Sequence, residues 1–198
     1  MKINEIDPGE KQTFEPSNTD LSKSFGKFLS DCSESIAAMQ ATNTFLYRGM
    51  SNIVSPDIFI GRSREHRNSL TFKPSVSKQI DKQFIKAGFK THRSNSIFCT
   101  SLAGVAVTYG RLYMIFPING FDFAWSSEVY DFATNNRLAT IANINPKEFD
   151  PIEFSYSDTN LKGALMSGKE IMIHGTYYAF RYSKYGKGLS KALKVALP

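Results

Sequence analysis

The chain has 198 residues, of which 41% are hydrophobic, 21% charged and 13% aromatic; this fits one soluble domain with a sizeable core and excludes the polar, aromatic-poor composition of disordered chains. Its formal charge is +6, and no stretch approaches the roughly 20 apolar residues that a spanning helix needs, so no membrane partner is expected. Cys32 and Cys99 stand far apart and the three histidines, His66, His92 and His174, fall in no CxxC or HxxxH spacing, so neither a disulfide framework nor a metal site is expected.

Residues 1–19, with their two prolines and little periodicity, are expected to form a flexible arm ahead of a single domain over 20–198. The same stretch lacks the apolar run of a signal peptide, and with reduced thiols the expected location is the cytoplasm. Leu21, Phe25, Phe28, Leu29, Cys32, Ile36 and Met39 recur at helical steps and predict one amphipathic helix, with Asp20 or Thr19 as its cap. "TFLYRGM" predicts a short strand, and residues 51–74 read as irregular. A second helix follows, capped by Ser75 and ended by Gly88, with Val76, Ile80 and Phe84 in one line and Lys78, Lys82 and Lys86 in another.

"SIFCTS" reads as a strand, "LAGVAVTYG" as a short buried helix and "LYMIFPI" as a buried strand stopped by Pro117 and Gly120. The stretch from Phe121 to Pro146 predicts an aromatic-rich loop holding Trp125, followed by a helix. "DTNLKGALMSG" predicts a capped short helix, "EIMIHG" and "TYYAFRY" a hairpin, and the lysine-rich end from Ser183 a fraying tail. Helices early and short strands mostly later argue for an α+β fold.

Charge is unevenly distributed. Residues 62–93 hold nine basic side chains against the two acids Glu65 and Asp81. Such a stretch suits the phosphates of a nucleotide or a nucleic acid, and equally the solvated face of a helix.

Three pieces carry chemistry: "LYRG" with Arg48 and Gly49, "IFCTSL" with Cys99, Thr100 and Ser101, and "SGKEIMI" with Gly168, Lys169 and Glu170. In this order they resemble the mono-ADP-ribosyltransferase superfamily, in the branch whose site is built from an arginine, a Ser-Thr-Ser strand and a late glutamate. The stretch "GALMSGKEIMI" followed by "YYAFR" is similar to phage-encoded members of that group, for which the location would be the host bacterial cytoplasm. The resemblance spans about residues 44–182.

It implies a pair of roughly perpendicular antiparallel sheets with flanking helices, and NAD as substrate with no metal. It further implies transfer of ADP-ribose to a macromolecular acceptor, a protein or a nucleic acid. Glu170 would be the catalytic carboxylate beneath the ribose, where positive charge develops as nicotinamide leaves. Arg48 and Gly49 would hold the dinucleotide, with the planar guanidinium on its diphosphate or the adjacent ribose. Cys99, Thr100 and Ser101 would fix the glutamate, and Gly168 and Lys169 would face the acceptor.

Two departures matter. Cys99 stands where the family has serine and is the weaker donor, and Gly168 stands where arginine-modifying members carry a second glutamate, which disfavours arginine as acceptor. Both leave room for a non-catalytic nucleic-acid-binding or virion-associated protein, and water as acceptor would make an NAD glycohydrolase. Tyr109 and Trp125 could stack on NAD rings or belong to the core, and His174 could share the face of Glu170.

Overall fold

The computed structural model describes residues 21–51, 56–65, 72–132 and 135–198; the expected N-terminal arm lies outside them. The fold is α+β. In chain order it runs α1 (Leu21–Asp31), α2 (Ser33–Thr42), β1 (Tyr47–Met50), β2 (Ile58–Arg62), α3 (Pro74–Lys86), β3 (Ile97–Cys99), α4 (Ala103–Ala106) and β4 (Arg111–Pro117). It continues with β5 (Asp122–Ser126), α5 (Asn136–Ile144), β6 (Tyr156–Ser157), α6 (Leu161–Ser167), β7 (Ile171–His174), β8 (Thr176–Arg181) and α7 (Tyr182–Leu193). The strands form two antiparallel four-stranded sheets, ordered β1-β4-β8-β2 and β3-β7-β5-β6.

The first sheet is centred on β4, whose apolar run Tyr113–Phe116 is fully buried. Phe28 of α1 stands edge-on to Phe116, Tyr178 and Phe180, and α7 sets Tyr185 against Phe180 from its own turn. One core cluster joins this sheet to Ile97, Ile171 and Ile173 of the second. A second cluster, rich in aromatics, packs α3, Phe132 and Phe149 against Ala124, Tyr156 and Met172 of the second sheet: Phe84, Phe132, Phe149 and Tyr156 meet at centroid distances of 5.0–6.5 Å. Edge-to-face contacts of this kind add to what area burial alone supplies.

Several expectations are corrected. The predicted single helix over 21–39 is two, because the end of β4 docks at its middle: Cys32 Sγ donates to Phe116 O at 3.4 Å, Asn119 N donates to Asp31 O at 2.7 Å, and Asn119 Oδ1 accepts from Glu34 N at 3.0 Å. These partners satisfy backbone groups that an unbroken helix would have paired within itself. The irregular stretch 51–74 contains β2, paired along its length with β8. "FDFAWS" is β5, not a loop, and it pairs β7. "EIMIHG" and "TYYAFRY" are not a hairpin: β7 and β8 belong to different sheets, and the chain changes sheet across Gly175. The lysine-rich end is the helix α7, with Leu189 and Leu193 buried. The second helix begins on Pro74, one residue before the expected cap Ser75, and its N-terminus has no side-chain cap.

Candidate active site

The sheets meet where the site is. Tyr47 N donates to Thr100 O at 2.7 Å and Thr100 N to Tyr47 O at 2.9 Å, so the start of β1 is bridged to the end of β3. On the other side of β3, Cys99 lies opposite Ile171 of β7, the residue that follows Glu170. Arg48, the 99–100 end of β3 and Glu170 are thereby set side by side on three neighbouring segments.

They line one open cleft together with Gly49, Phe98, Tyr109, Tyr130 and Asp131. Gly168 and Arg93 line the same cleft. Arg48 is fixed by a donation from Nη1 to Phe98 O at 2.7 Å. Gly49 acts through what it lacks: a Cβ there would come 1.9 Å from Ala106 O and 2.9 Å from Tyr109 Cβ. Only glycine lets β1 lie this close to the α4 segment that forms the facing wall.

Thr100 Oγ1 donates to Gly168 O at 3.0 Å and accepts from Leu102 N at 3.2 Å. The threonine therefore ties β3 to the turn two residues ahead of Glu170. Gly168 ends α6 in the left-handed region, at φ +70°, which favours glycine. Glu170 N donates to Tyr130 O at 2.9 Å, anchoring the residue from the opposite side.

The carboxylate itself meets Arg93, with Nη1 and Oε1 3.4 Å apart; the two side chains are only 10% and 18% exposed. Arg93 belongs to the basic stretch of the sequence, and nothing local in "THRSN" tells an inward arginine from an outward one. Cys99 is buried, and burial first of all pushes its thiol up to about 12, with the Arg48 cation opposing and the Glu170 carboxylate adding to the rise. That shift favours the neutral thiol over the nucleophilic thiolate. Burial also raises Tyr156 well above its ordinary value, and the charge of Glu170 adds to it.

The remaining expected residues, Tyr109 apart, do not line the cleft. Ser101 is buried beside the cleft without lining it, and Lys169 Nζ turns to the carbonyl of Ser127. Trp125 belongs to the core and donates to Thr159 O at 2.9 Å, whereas Tyr109 does line the cleft, its hydroxyl 3.3 Å from Asp131 Oδ2. His174 sits at the far end of β7, 4.0 Å from Asp122. Of the basic stretch, Lys73, Lys78, Lys82 and Lys86 are exposed on or beside α3 while Arg93 points inward; Arg67 lies outside the described residues. Among the described residues no three metal-ligating side chains converge, and no helix is long and apolar enough to cross a membrane.

No family model, curated protein or solved structure matches this chain.

Proposed function

We propose that the protein transfers ADP-ribose from NAD to a macromolecular acceptor and releases nicotinamide. The observation that carries this reading is the convergence of Arg48, Thr100 and Glu170, drawn from distant segments of the chain, on one cleft. The pair of antiparallel sheets supports its fold side, whose finer form is an ADP-ribosyltransferase-like, roughly perpendicular pair with NAD between the two.

The residues fit the substrate's chemistry. Arg48 uses one arm of its fork on Phe98 O, and the planar group retains further N–H donors for a diphosphate. Phe98, Tyr109 and Tyr130 line the same cleft, and aromatic rings suit the flat bases of a dinucleotide. As the bond from ribose C1′ to the nicotinamide nitrogen breaks, its electron pair leaves with nicotinamide, which becomes neutral, and positive charge gathers on the sugar. A fixed carboxylate at Glu170 stabilises that charge more than it stabilises the ground state. The acceptor's lone pair then forms the new bond to C1′ and its proton passes to solvent. With glycine at 168, no side chain there takes that proton, which favours an acceptor nucleophilic on its own.

The acceptor is a protein or a nucleic acid, and the exposed lysines of α3 are the feature that brings nucleic acid into the proposal. The test is incubation with adenylate-labelled NAD and a cell lysate. Label transferred to protein or nucleic acid is the expected result. Free ADP-ribose would instead make the protein a glycohydrolase, and intact NAD would make it a binder without this activity. Arg48→Ala is expected to weaken NAD binding in calorimetry, and an unchanged affinity would remove Arg48 from the site.

A further inference from the structure

We infer that Arg93 is the positioning residue of the cleft, a guanidinium clamped between two aromatic rings that holds the Glu170 carboxylate in place. The inference rests on the proposed transferase reading and adds to it a residue and a role. Its basis is geometric. The Arg93 guanidinium carbon lies 4.3 Å from the centroid of Phe132 and 4.7 Å from that of Phe98, with Phe72 at 5.9 Å. A planar cation stacked on aromatic faces keeps one orientation, which a lysine ammonium does not. From that position it reaches Glu170 at 3.4 Å on a largely buried pair of side chains, where water screens little.

The clamp is itself braced. Arg93 opens a single 3-10 turn, Arg93–Asn95, and the turn is tied to α3 through the buried Asp81. Ser94 N donates to Asp81 Oδ1 at 3.3 Å, Ser94 Oγ donates to Asp81 Oδ2, and His92 Nδ1 lies 3.2 Å from Asp81 Oδ1. Within the turn, His92 N donates to Asn95 Oδ1 at 2.8 Å, Asn95 Nδ2 to Lys90 O at 2.8 Å and Ser96 Oγ to His92 O at 2.7 Å. So many bonds on so short a turn fix where its arginine starts. Thr100 holds the backbone ahead of Glu170 and Arg93 holds the carboxylate: the two tasks fall to different residues.

The role also explains why the site tolerates Cys99. A thiol that donates weakly is a poor group with which to orient a carboxylate, and a charge-assisted contact from Arg93 replaces it. A misplacement of about 1 Å at a reacting group can cost about 100-fold in rate, which sets the scale of the effect.

The experiment measures nicotinamide release by the full chain, with lysate as acceptor source, for wild type, Arg93→Met and Arg93→Lys, each first checked for a cooperative thermal transition. Arg93→Met keeps bulk between the rings without charge and is expected to lower kcat about 100-fold with KM for NAD changed less than about threefold. Arg93→Lys restores the charge without the fork and is expected to recover about tenfold of that loss, which keeps the test decisive if the Met variant does not fold. A wild-type kcat in both variants, with only the melting temperature lowered, overturns the positioning role and leaves the transferase reading intact. A raised KM with unchanged kcat also overturns it, since Arg93 would then grip the substrate and not Glu170. Silence of the wild-type protein itself removes the transferase reading, and the positioning role with it.

Discussion

Gly168 shows how one residue answers to both backbone and chemistry. At φ +70° a side chain is strained, and a Cβ would sit 3.0 Å from Leu102 Cδ1. Gly168→Ala is expected to lower stability by about 1 kcal/mol, read as a lower denaturant midpoint; an unchanged midpoint would contradict the strain. Glutamate at this position would meet the same strain. Tyr47 is the opposite case. Burial raises its pKa above the ordinary tyrosine range, and its buried hydroxyl has no hydrogen-bond partner among the described residues. Removing an unsatisfied buried hydroxyl relieves a desolvation cost. Tyr47→Phe is therefore expected to leave the melting temperature unchanged or raise it, and a marked fall would reveal a partner for that hydroxyl.

At the scale of elements, the α3–turn–β3 segment connects the scaffold to the site. Asp81→Ala removes the acceptor of two hydrogen bonds from Ser94. It is expected to lower stability by about 2 kcal/mol and to lower the rate of NAD cleavage in parallel with the Arg93 variants. A urea titration and the release assay check the two halves; full activity with lost stability would detach the brace from the chemistry. The same segment marks what could be read from sequence. Arg48, Thr100, Gly168 and Glu170 each sit in a short motif with an order, and the structure brings them to one cleft. Arg93 does not, because inward orientation is set by Phe98 and by Phe132, far along the chain. Helix periodicity located α1 and α2 but not the break between them, since the groups that make it come from Phe116 and Asn119. Alternation and aromatic content suited "EIMIHG" and "TYYAFRY" as strands; their pairing did not follow, because partner choice depends on sheets that only the whole chain assembles.

Across the whole molecule, burial of both cysteines makes a prediction with a definite sign. Burial is the first cause pushing the Cys32 and Cys99 thiols from 9.0 to about 12. Between those values the unfolded chain has released these protons while the folded chain keeps them. The unfolded state then binds fewer protons, so stability falls as pH rises through that window and is unaffected by these groups below it. Denaturant midpoints at neutral pH and again inside the window should differ in that direction, and less so in a Cys32→Ala, Cys99→Ala double variant; equal slopes would count against the burial. The basic lysines of α3 make a separate prediction. Any nucleic-acid binding they provide should weaken steeply with added salt, and its absence at low salt would leave a protein acceptor.

The central claim is that the Glu170 carboxylate, in the cleft shared with Arg48, drives cleavage of NAD. Nicotinamide release by wild type and by Glu170→Ala, both folded by circular dichroism, tests it most directly. Release by the wild-type chain and a loss of about 100-fold or more in the variant are expected. Release at the wild-type rate without the carboxylate would contradict the claim.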